Sequence, residues 1–324
     1  MESILSVKNL RTCFFTRKGT VNAVDDISFD LQKGELMCIV GESGSGKTIT
    51  ALSIMRLIES PGKIIEGKII FNGENLLELS SEKMQDVRGN KIAMVFQDPH
   101  SSLNPVLTIG YQIVEAMTAH KSQNEKEAYS HAIELLELVG IPTAKERYHD
   151  YPHQFSGGMK QRVVIAMALA CHPMLLIADE PTTALDLTVQ AQILDLFIEL
   201  RKNFFMSIIY ITHDLGVVSE IADSVVVMYA GKIMEKGSRD DILNNPLHPY
   251  TTGLIGCMPS DNGKIVPIPG TIPSLVNLQE GCVFHPRCIH AMDICRKRGP
   301  PVYLMGEGHY VTCFLKGNIH DRTY

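Results

Sequence analysis

The chain has 324 residues, 45% of them hydrophobic and 20% charged, with 30 Lys and Arg against 36 Asp and Glu. That length suffices for one large or two ordinary globular domains, and a net charge of −6 gives no electrostatic argument for nucleic acid or acidic lipid as the main partner. No basic segment followed by an apolar one opens the chain, and its longest clean apolar run, residues 163–170, is far short of a membrane span. Any attachment to a membrane is therefore expected to run through another protein.

Short β-strands are expected over residues 5–10, 12–16, 21–24, 27–31 and 37–40, with a turn at Arg17-Lys18-Gly19. From residue 37 the pattern becomes strand then helix: the strand enters a Gly-rich turn and an apolar-periodic helix over 48–57. Residues 69–71 form a strand ending in an Asn72-Gly73 turn. A further strand over 92–96 ends at Gln97-Asp98-Pro99. Between about residues 100 and 162 strands cease, and amphipathic helices over 109–118 and 125–139 predict a helical insertion. Alternation then resumes with a helix over 159–170, a strand over 174–178, a helix over 189–204 and strands over 207–212 and 225–228. This order predicts an α/β fold with a mostly parallel sheet covered on both faces. After residue 237 the pattern weakens, and 245–273 holds Pro246, Pro249, Pro259, Pro267, Pro269 and Pro273, which reads as a linker or irregular extension. No internal repeat or low-complexity tract interrupts the chain.

Gly41-Glu42-Ser43-Gly44-Ser45-Gly46-Lys47-Thr48 fits G-x-x-x-x-G-K-[ST] in full, after an apolar strand and at the start of a helix. In such a P-loop the backbone N–H groups turn inward around phosphate oxygens, and the helix N-terminus adds its dipole. Lys47 places a point charge on the β- and γ-phosphates of ATP, and the Thr48 hydroxyl ligates Mg²⁺. Residues 174–178 deliver two carboxylates at the carboxyl end of a buried strand, where ligands sit in open α/β sheets. Asp179 suits holding Mg²⁺ through water, and Glu180 suits polarising the attacking water. A P-loop and two acids still leave kinases, GTPases, AAA-type machines and transport ATPases open.

Phe155-Ser156-Gly157-Gly158-Met159-Lys160-Gln161-Arg162 resembles the signature motif of ABC ATPases, in its usual place just before the acidic strand. The rest of that family's order is present too. Gln97 matches the Q-loop, also a Mg²⁺ contact, Ala184-Leu185-Asp186 the D-loop, and His213 the switch histidine; Phe14 is the candidate for stacking on adenine. The resemblance implies a P-loop (RecA-like) ABC ATPase core with an antiparallel β subdomain, a helical subdomain and a small Cys-rich C-terminal extension. The ATPase domain is expected over 1–258, with its core in 1–99 and 163–258 and its helical subdomain in 100–162; the extension follows over 259–324. It further implies head-to-tail pairing with a second ABC ATPase subunit, expected to be a paralogue. Ser156, Gly157, Gly158 and Asp186 would then complete the partner's ATP site, while Glu180, His213 and Gln97 serve hydrolysis. Met159 stands where Gln is common in the family, although Met is usual there in its peptide-importer branch.

Eight Cys divide evenly. Cys13, Cys38, Cys171 and Cys257 are scattered through apolar segments and read as small buried hydrophobes. Cys282, Cys288, Cys295 and Cys313 crowd into the tail, where six Lys and Arg face three Asp and Glu, leaving about +3 there and −9 elsewhere. A reducing compartment favours metal over disulfides, and four thiolates suit Zn²⁺ or an iron–sulfur cluster. Gly281-Cys-Val-Phe-His-Pro-Arg-Cys288, with Asn245-Pro-Leu-His-Pro-Tyr-Thr251 upstream, resembles the C-terminal domain of oligopeptide/dipeptide importer ATPases. Some members of that family carry a [4Fe–4S] cluster on such cysteines, so a cluster is expected before zinc. The implied setting is the cytoplasmic face of a membrane, peripherally bound to two permease subunits and served indirectly by an extracytoplasmic peptide-binding protein. Import of nickel, glutathione or another small solute is the alternative within transport. A non-transport ABC ATPase acting on nucleic acid is the alternative outside it, disfavoured by the acidic charge and the single cassette.

Overall fold

The run Leu-Met-Cys-Ile-Val has no polar face, so it is satisfied only in a strand covered on both sides, and all five of its residues are buried. The computed structural model describes residues 2–120, 124–183, 185–258, 267–276, 278 and 280–317. Its chain divides into two compact units, residues 1–77 with 211–324, and residues 78–210.

The first unit opens with β1 (Ser3–Thr16), β2 (Gly19–Gln32), β3 (Leu36–Val40), α1 (Lys47–Ile54), β4 (Gly62–Phe71) and β5 (Glu74–Asn75). Four of the strands form an antiparallel sheet in the order β2-β1-β4-β5. Where the polar breaks at Arg11 and Asp25-Asp26 predict two strands each, β1 and β2 are single long strands carrying bulges. The register shifts between Leu10 and Thr12 and again at Cys13, and Asn9 and Asp26 take left-handed φ of 46° and 59°. The bulges turn the polar residues outward, where Arg11 pairs with Asp25 at 3.2 Å and Glu66 at 3.1 Å.

The second unit follows with α2 (Ser81–Val87), β6 (Ile92–Val95), α3 (Pro99–Ser102), α4 (Ile109–Thr118), α5 (Glu125–Leu138), α6 (Ala144–Arg147), α7 (Gly157–Leu169), β7 (Leu175–Asp179), α8 (Leu187–Phe204) and β8 (Ser207–Thr212). The chain passes back to the first unit near the end of β8. Helix starts follow side-chain caps: Thr108 accepts from Tyr111 N–H, Asn124 from Glu127 N–H and Asp186 from Val189 N–H. Helices α4, α5 and α7 pack together, and Arg162 of α7 donates to Val139 O at the end of α5 and to Gln192 Oε1 of α8. Strand β7 lies between β6 and β8, and all of its residues are buried.

The first unit resumes with α9 (Leu215–Ile221), β9 (Ser224–Tyr229), β10 (Lys232–Ser238), α10 (Arg239–Asn244), α11 (Pro249–Gly256), α12 (Asp293–Lys297), β11 (Tyr303–Gly306) and β12 (His309–Val311). β3 pairs parallel with β9, from Met37 opposite Ser224 to Val40 opposite Val227. Antiparallel β10, β12 and β11 extend the same sheet. The proline-rich segment expected to be irregular contains α11, because Pro249 sits at the first helical position, where its missing N–H costs nothing. Pro259 lies outside the described residues. Of the four scattered cysteines, Cys13, Cys38 and Cys171 are buried as expected, but Cys257 is exposed, since it caps the end of α11 rather than facing its core side.

Candidate functional site

In the first unit the P-loop joins β3 to α1. Gly41 and Gly46 have φ of 153° and 102°, and a Cβ would stand 2.1 Å from Met228 O at the first and 2.4 Å from Ala23 O at the second. Only glycine fits there, so the loop is drawn against β9 and β2. Ser43 and Gly44 are exposed at the rim, as is Thr48 at the first turn of α1. Gly46 caps α1 without a side-chain hydrogen bond. Lys47 is 5% exposed and donates to Gly41 O at 2.8 Å and Glu42 O at 3.2 Å. Ser45 Oγ is buried with no hydrogen-bond partner, a cost of about 1–3 kcal/mol that a phosphate oxygen would remove. The cradle, the ammonium and the orphaned hydroxyl fit a Mg²⁺-bound polyphosphate. Phe14 lies half-buried in β1, opposite Val21 and Gly62, and a Cβ on Gly62 would stand 2.7 Å from the Phe14 ring. His213 follows β8 on an exposed corner, directly before Asp214, the N-cap of α9.

In the second unit the pairing of β6 with β7 sets the acidic group. Val95 stands opposite Ala178, so two residues further on Gln97 comes beside Glu180, and Gln97 Nε2 donates to Glu180 Oε2 at 3.3 Å. Glu180 also accepts from Thr183 Oγ1 at 3.1 Å. Its φ of 46° is left-handed for a residue with a Cβ, a conformation costing of order 1–3 kcal/mol that a structure retains where it aims a functional group. Asp179, one residue earlier, is 3% exposed. Adjacent acids thus have opposite settings, one buried at the strand end and one turned out beside an amide.

Ser156 caps α7, its hydroxyl accepting from Met159 N–H at 3.3 Å, so the helix starts at Gly157 rather than at Met159 as expected. Both signature glycines therefore lie in the first turn, where backbone N–H groups have no helical partner. They are glycine for different reasons. A Cβ on Gly158 would stand 2.5 Å from Val189 Cγ1, whereas Gly157 is exposed and its nearest neighbour would be Leu185 Cδ2 at 3.8 Å. Packing therefore explains Gly158, and among the described residues nothing packs closely enough to require glycine at 157. Asp186 caps α8 through Val189 N–H at 2.9 Å, and Ala184 lies outside the described residues.

Among the described residues no three His, Cys, Asp or Glu side chains form a group that could hold a metal ion. The four tail thiols, expected to hold an iron–sulfur cluster or zinc, do not form such a group. Backbone hydrogen bonds tie their segments: Cys282 N–H donates to Cys295 O at 2.8 Å, and Cys288 N–H to His285 O at 3.3 Å. The thiols still feel one another. Burial pushes Cys282 up to about 11, with Cys295, Cys313 and Cys288 acting the same way. Burial and neighbouring thiols also raise Cys288 and Cys313.

The two tail segments singled out in the sequence meet. His248 and Tyr250 of the first segment face Phe284 of the second at ring distances of 5.7 and 5.3 Å, and Tyr229 of β9 closes the group at 4.7 Å from Tyr250. Tyr250 Oη accepts from Glu42 N–H at 2.9 Å, and Arg287 reaches the Glu42 carboxylate. Neither P-loop contact was legible in the sequence.

Among the described residues no helix is long and apolar enough to cross a membrane. Residues 24–183 match the ABC transporter family and residues 234–295 the C-terminal region of oligopeptide/dipeptide transporters. The chain is 50% identical to the dipeptide transport ATP-binding protein DppD of Bacillus subtilis, over 98% of this chain and 96% of that one. It is 48% identical to the oligopeptide transport ATP-binding protein OppD of Escherichia coli, over 97% and 93%. The dimeric, post-hydrolysis structure of the ATP-binding cassette MJ0796 with ADP and Pi superposes with a TM-score of 0.66 at 26% identity, covering 72% of this chain and 98% of that one. The chain therefore belongs to the ATP-binding subunits of ABC transporters, in the branch that carries the oligopeptide/dipeptide transporter C-terminal region.

Proposed function

We propose that this chain hydrolyses ATP to drive import of di- and oligopeptides through an ABC transporter. The observation that carries the reading is the presence on one chain of a full ABC ATPase motif set and the peptide-transporter C-terminal region.

The P-loop amides and Lys47 bind the phosphates of ATP, Thr48, Gln97 and Asp179 hold Mg²⁺ directly or through water, and Phe14 stacks on adenine. Glu180 polarises the attacking water and Gln97 orients it, with His213 stabilising the transferred phosphate. Mg²⁺, when bound, neutralises charge on the β- and γ-oxygens. Ser156, Gly157 and Gly158 present a capped helix N-terminus to the γ-phosphate held by a partner cassette, which is why Gly157 is bare and exposed. Asp186 sits at the same junction. The partner is expected to be a paralogue. Exposed Val106 and Tyr111, shortly after Gln97, suit docking of a permease subunit on the cytoplasmic face of the membrane. The permeases in turn receive peptide from an extracytoplasmic binding protein. Residues 259–324 form the extension, whose Cys282, Cys288, Cys295 and Cys313 hold a [4Fe–4S] cluster; the cluster supplies a structural cross-link there.

The test is reconstitution of the chain with its partner cassette and two permeases in proteoliposomes. Hydrolysis stimulated by peptide-loaded binding protein is expected; stimulation by nickel or glutathione alone would refute the peptide assignment. Anaerobically purified protein should be brown with iron and sulfide present, and a colourless, iron-free tail that keeps its fold would refute the cluster.

A further inference from the structure

Glu42 is the second residue of the P-loop, and it is held at its N–H by α11 and at its carboxylate by the C-terminal extension. Its backbone N–H donates to Tyr250 Oη at 2.9 Å. Its carboxylate receives two hydrogen bonds from Arg287, Nη1 to Oε2 at 2.6 Å and Nη2 to Oε1 at 3.1 Å. This is the bidentate fork that guanidinium makes with carboxylate and ammonium does not. The two residues are 245 positions apart.

Every other feature of Arg287 fixes it in place. It is 6% exposed, its Nε donates to Pro269 O at 2.8 Å, and Nη1 reaches Tyr229 Oη at 3.4 Å. The guanidinium also lies over the Tyr229 ring, 5.7 Å from its centroid. Gly270 leaves room for the stem, since a Cβ there would stand 3.2 Å from Arg287 Cγ. A buried arginine with its donors assigned to one carboxylate, one carbonyl and one hydroxyl is a rigid strut, and its far end is the phosphate loop.

What the strut holds matters for ATP. Glu42 O, with Gly41 O, is where Lys47 Nζ rests. A loop whose second residue is clamped at its N–H and its carboxylate has its carbonyl, and thus the Lys47 ammonium, already placed before nucleotide arrives. Such preorganisation contributes affinity by removing an ordering cost from the binding step.

We infer that Arg287 is a positioning residue for the ATP site, acting through Glu42, so that the C-terminal extension is a working wall of the P-loop. The inference rests on the ATPase reading above and on neither the peptide nor the cluster. The clamp belongs to ATP binding, because Gln97 and Glu180 supply the hydrolytic groups without it.

The test uses the full-length chain, with Mg²⁺ and ribose-labelled fluorescent ATP as the titrant, and steady-state kinetics alongside. Arg287→Gln and Glu42→Gln should each raise the ATP Kd and KM about tenfold, while kcat changes by less than about threefold. Arg287→Lys, which keeps charge and loses the fork, should fall between. The double variant should match either single, because both remove one interaction. A folded Arg287→Gln protein with wild-type Kd would overturn the inference, as would losses that add in the double variant. A fall in kcat at unchanged KM would also overturn it, since that marks a smaller folded fraction. Should Arg287→Gln not fold, Glu42→Gln at the more exposed end decides alone, by the same change in Kd. A wild-type chain that bound no ATP would instead overturn the nucleotide-site reading itself.

Discussion

Glu235 is a charged residue in the middle of β10 with no exposed surface. It accepts from Leu247 N–H at 2.8 Å, His248 N–H at 2.9 Å and His309 Nε2 at 2.8 Å. One carboxylate thus binds the segment leading into α11 and the tail strand β12 to the sheet. Glu235→Ala removes the acceptor of all three and strands donors that burial keeps from water. At about 1–3 kcal/mol for each unsatisfied group, and with partial relaxation, the cost is about 3–6 kcal/mol. It falls locally, because β12 meets β10 along a short ladder, Glu235 with Val311 and Lys236 with Tyr310, extended by Thr312 N–H donating to Met234 O. Hydrogen exchange read peptide by peptide is the assay. Amides of β11, β12 and α11 should exchange at least about a hundredfold faster, since about 1.4 kcal/mol is a factor of ten. Amides of α4 and α5 in the second unit serve as the internal reference and should not change. Glu235→Gln retains one carbonyl and should show a smaller effect. Wild-type protection over β11 and β12 in a folded Glu235→Ala protein would refute the reasoning.

Two further outcomes follow from the same kind of accounting. Burial lowers His248 from 6.5 to about 4 against the opposing pull of Glu235. The unfolded chain therefore binds the extra proton first, and the stability from neutral His248, about 3 kcal/mol, is present above pH 6.5 and lost as pH falls to about 4. His248→Asn keeps an N-cap acceptor for α11 and cannot titrate, so chemical denaturation between pH 7 and 4.5 should show a shallower loss than wild type; equal slopes would refute the assignment. Gly157→Ala should leave the melting temperature within about 2 °C of wild type and reduce ATP-driven pairing of cassettes at least about tenfold, whereas Gly158→Ala should lower the melting temperature through its clash with Val189. Equal effects of the two substitutions on both readouts would contradict the division of roles.

Local chemistry was legible where it depended on residues near in the chain. The P-loop, the strand of Asp179, the helices over 109–118 and 125–138 and the strand over 207–212 all follow from apolar period and caps. The polar breaks at Arg11 and Asp25-Asp26 misled, because a bulge and a loop look alike until the partner strand is known. Pro249 misled for the opposite reason: a proline that usually ends structure here begins a helix. Contacts distant in sequence were not legible. The register that sets Gln97 beside Glu180 needs β6 paired with β7, and Arg287 reaches Glu42 across 245 residues. Glu235 and His309 would each pass as ordinary surface charges in a sequence, and only burial shows that they face each other at 2.8 Å. Four thiols close in sequence suggested a metal site, but among the described residues they form no group that could hold an ion, because spacing does not fix how the fold sets the side chains.

Hydrolysis by Glu180 of an ATP that needs a second cassette is the central claim, and Glu180→Gln tests it most directly. The measurement is MgATP turnover and oligomeric mass on the same sample, with the partner cassette present. Turnover should fall by at least about a hundredfold while ATP still binds and holds the two cassettes together. Turnover within about threefold of wild type, or a variant that binds ATP and stays apart from its partner, would contradict it.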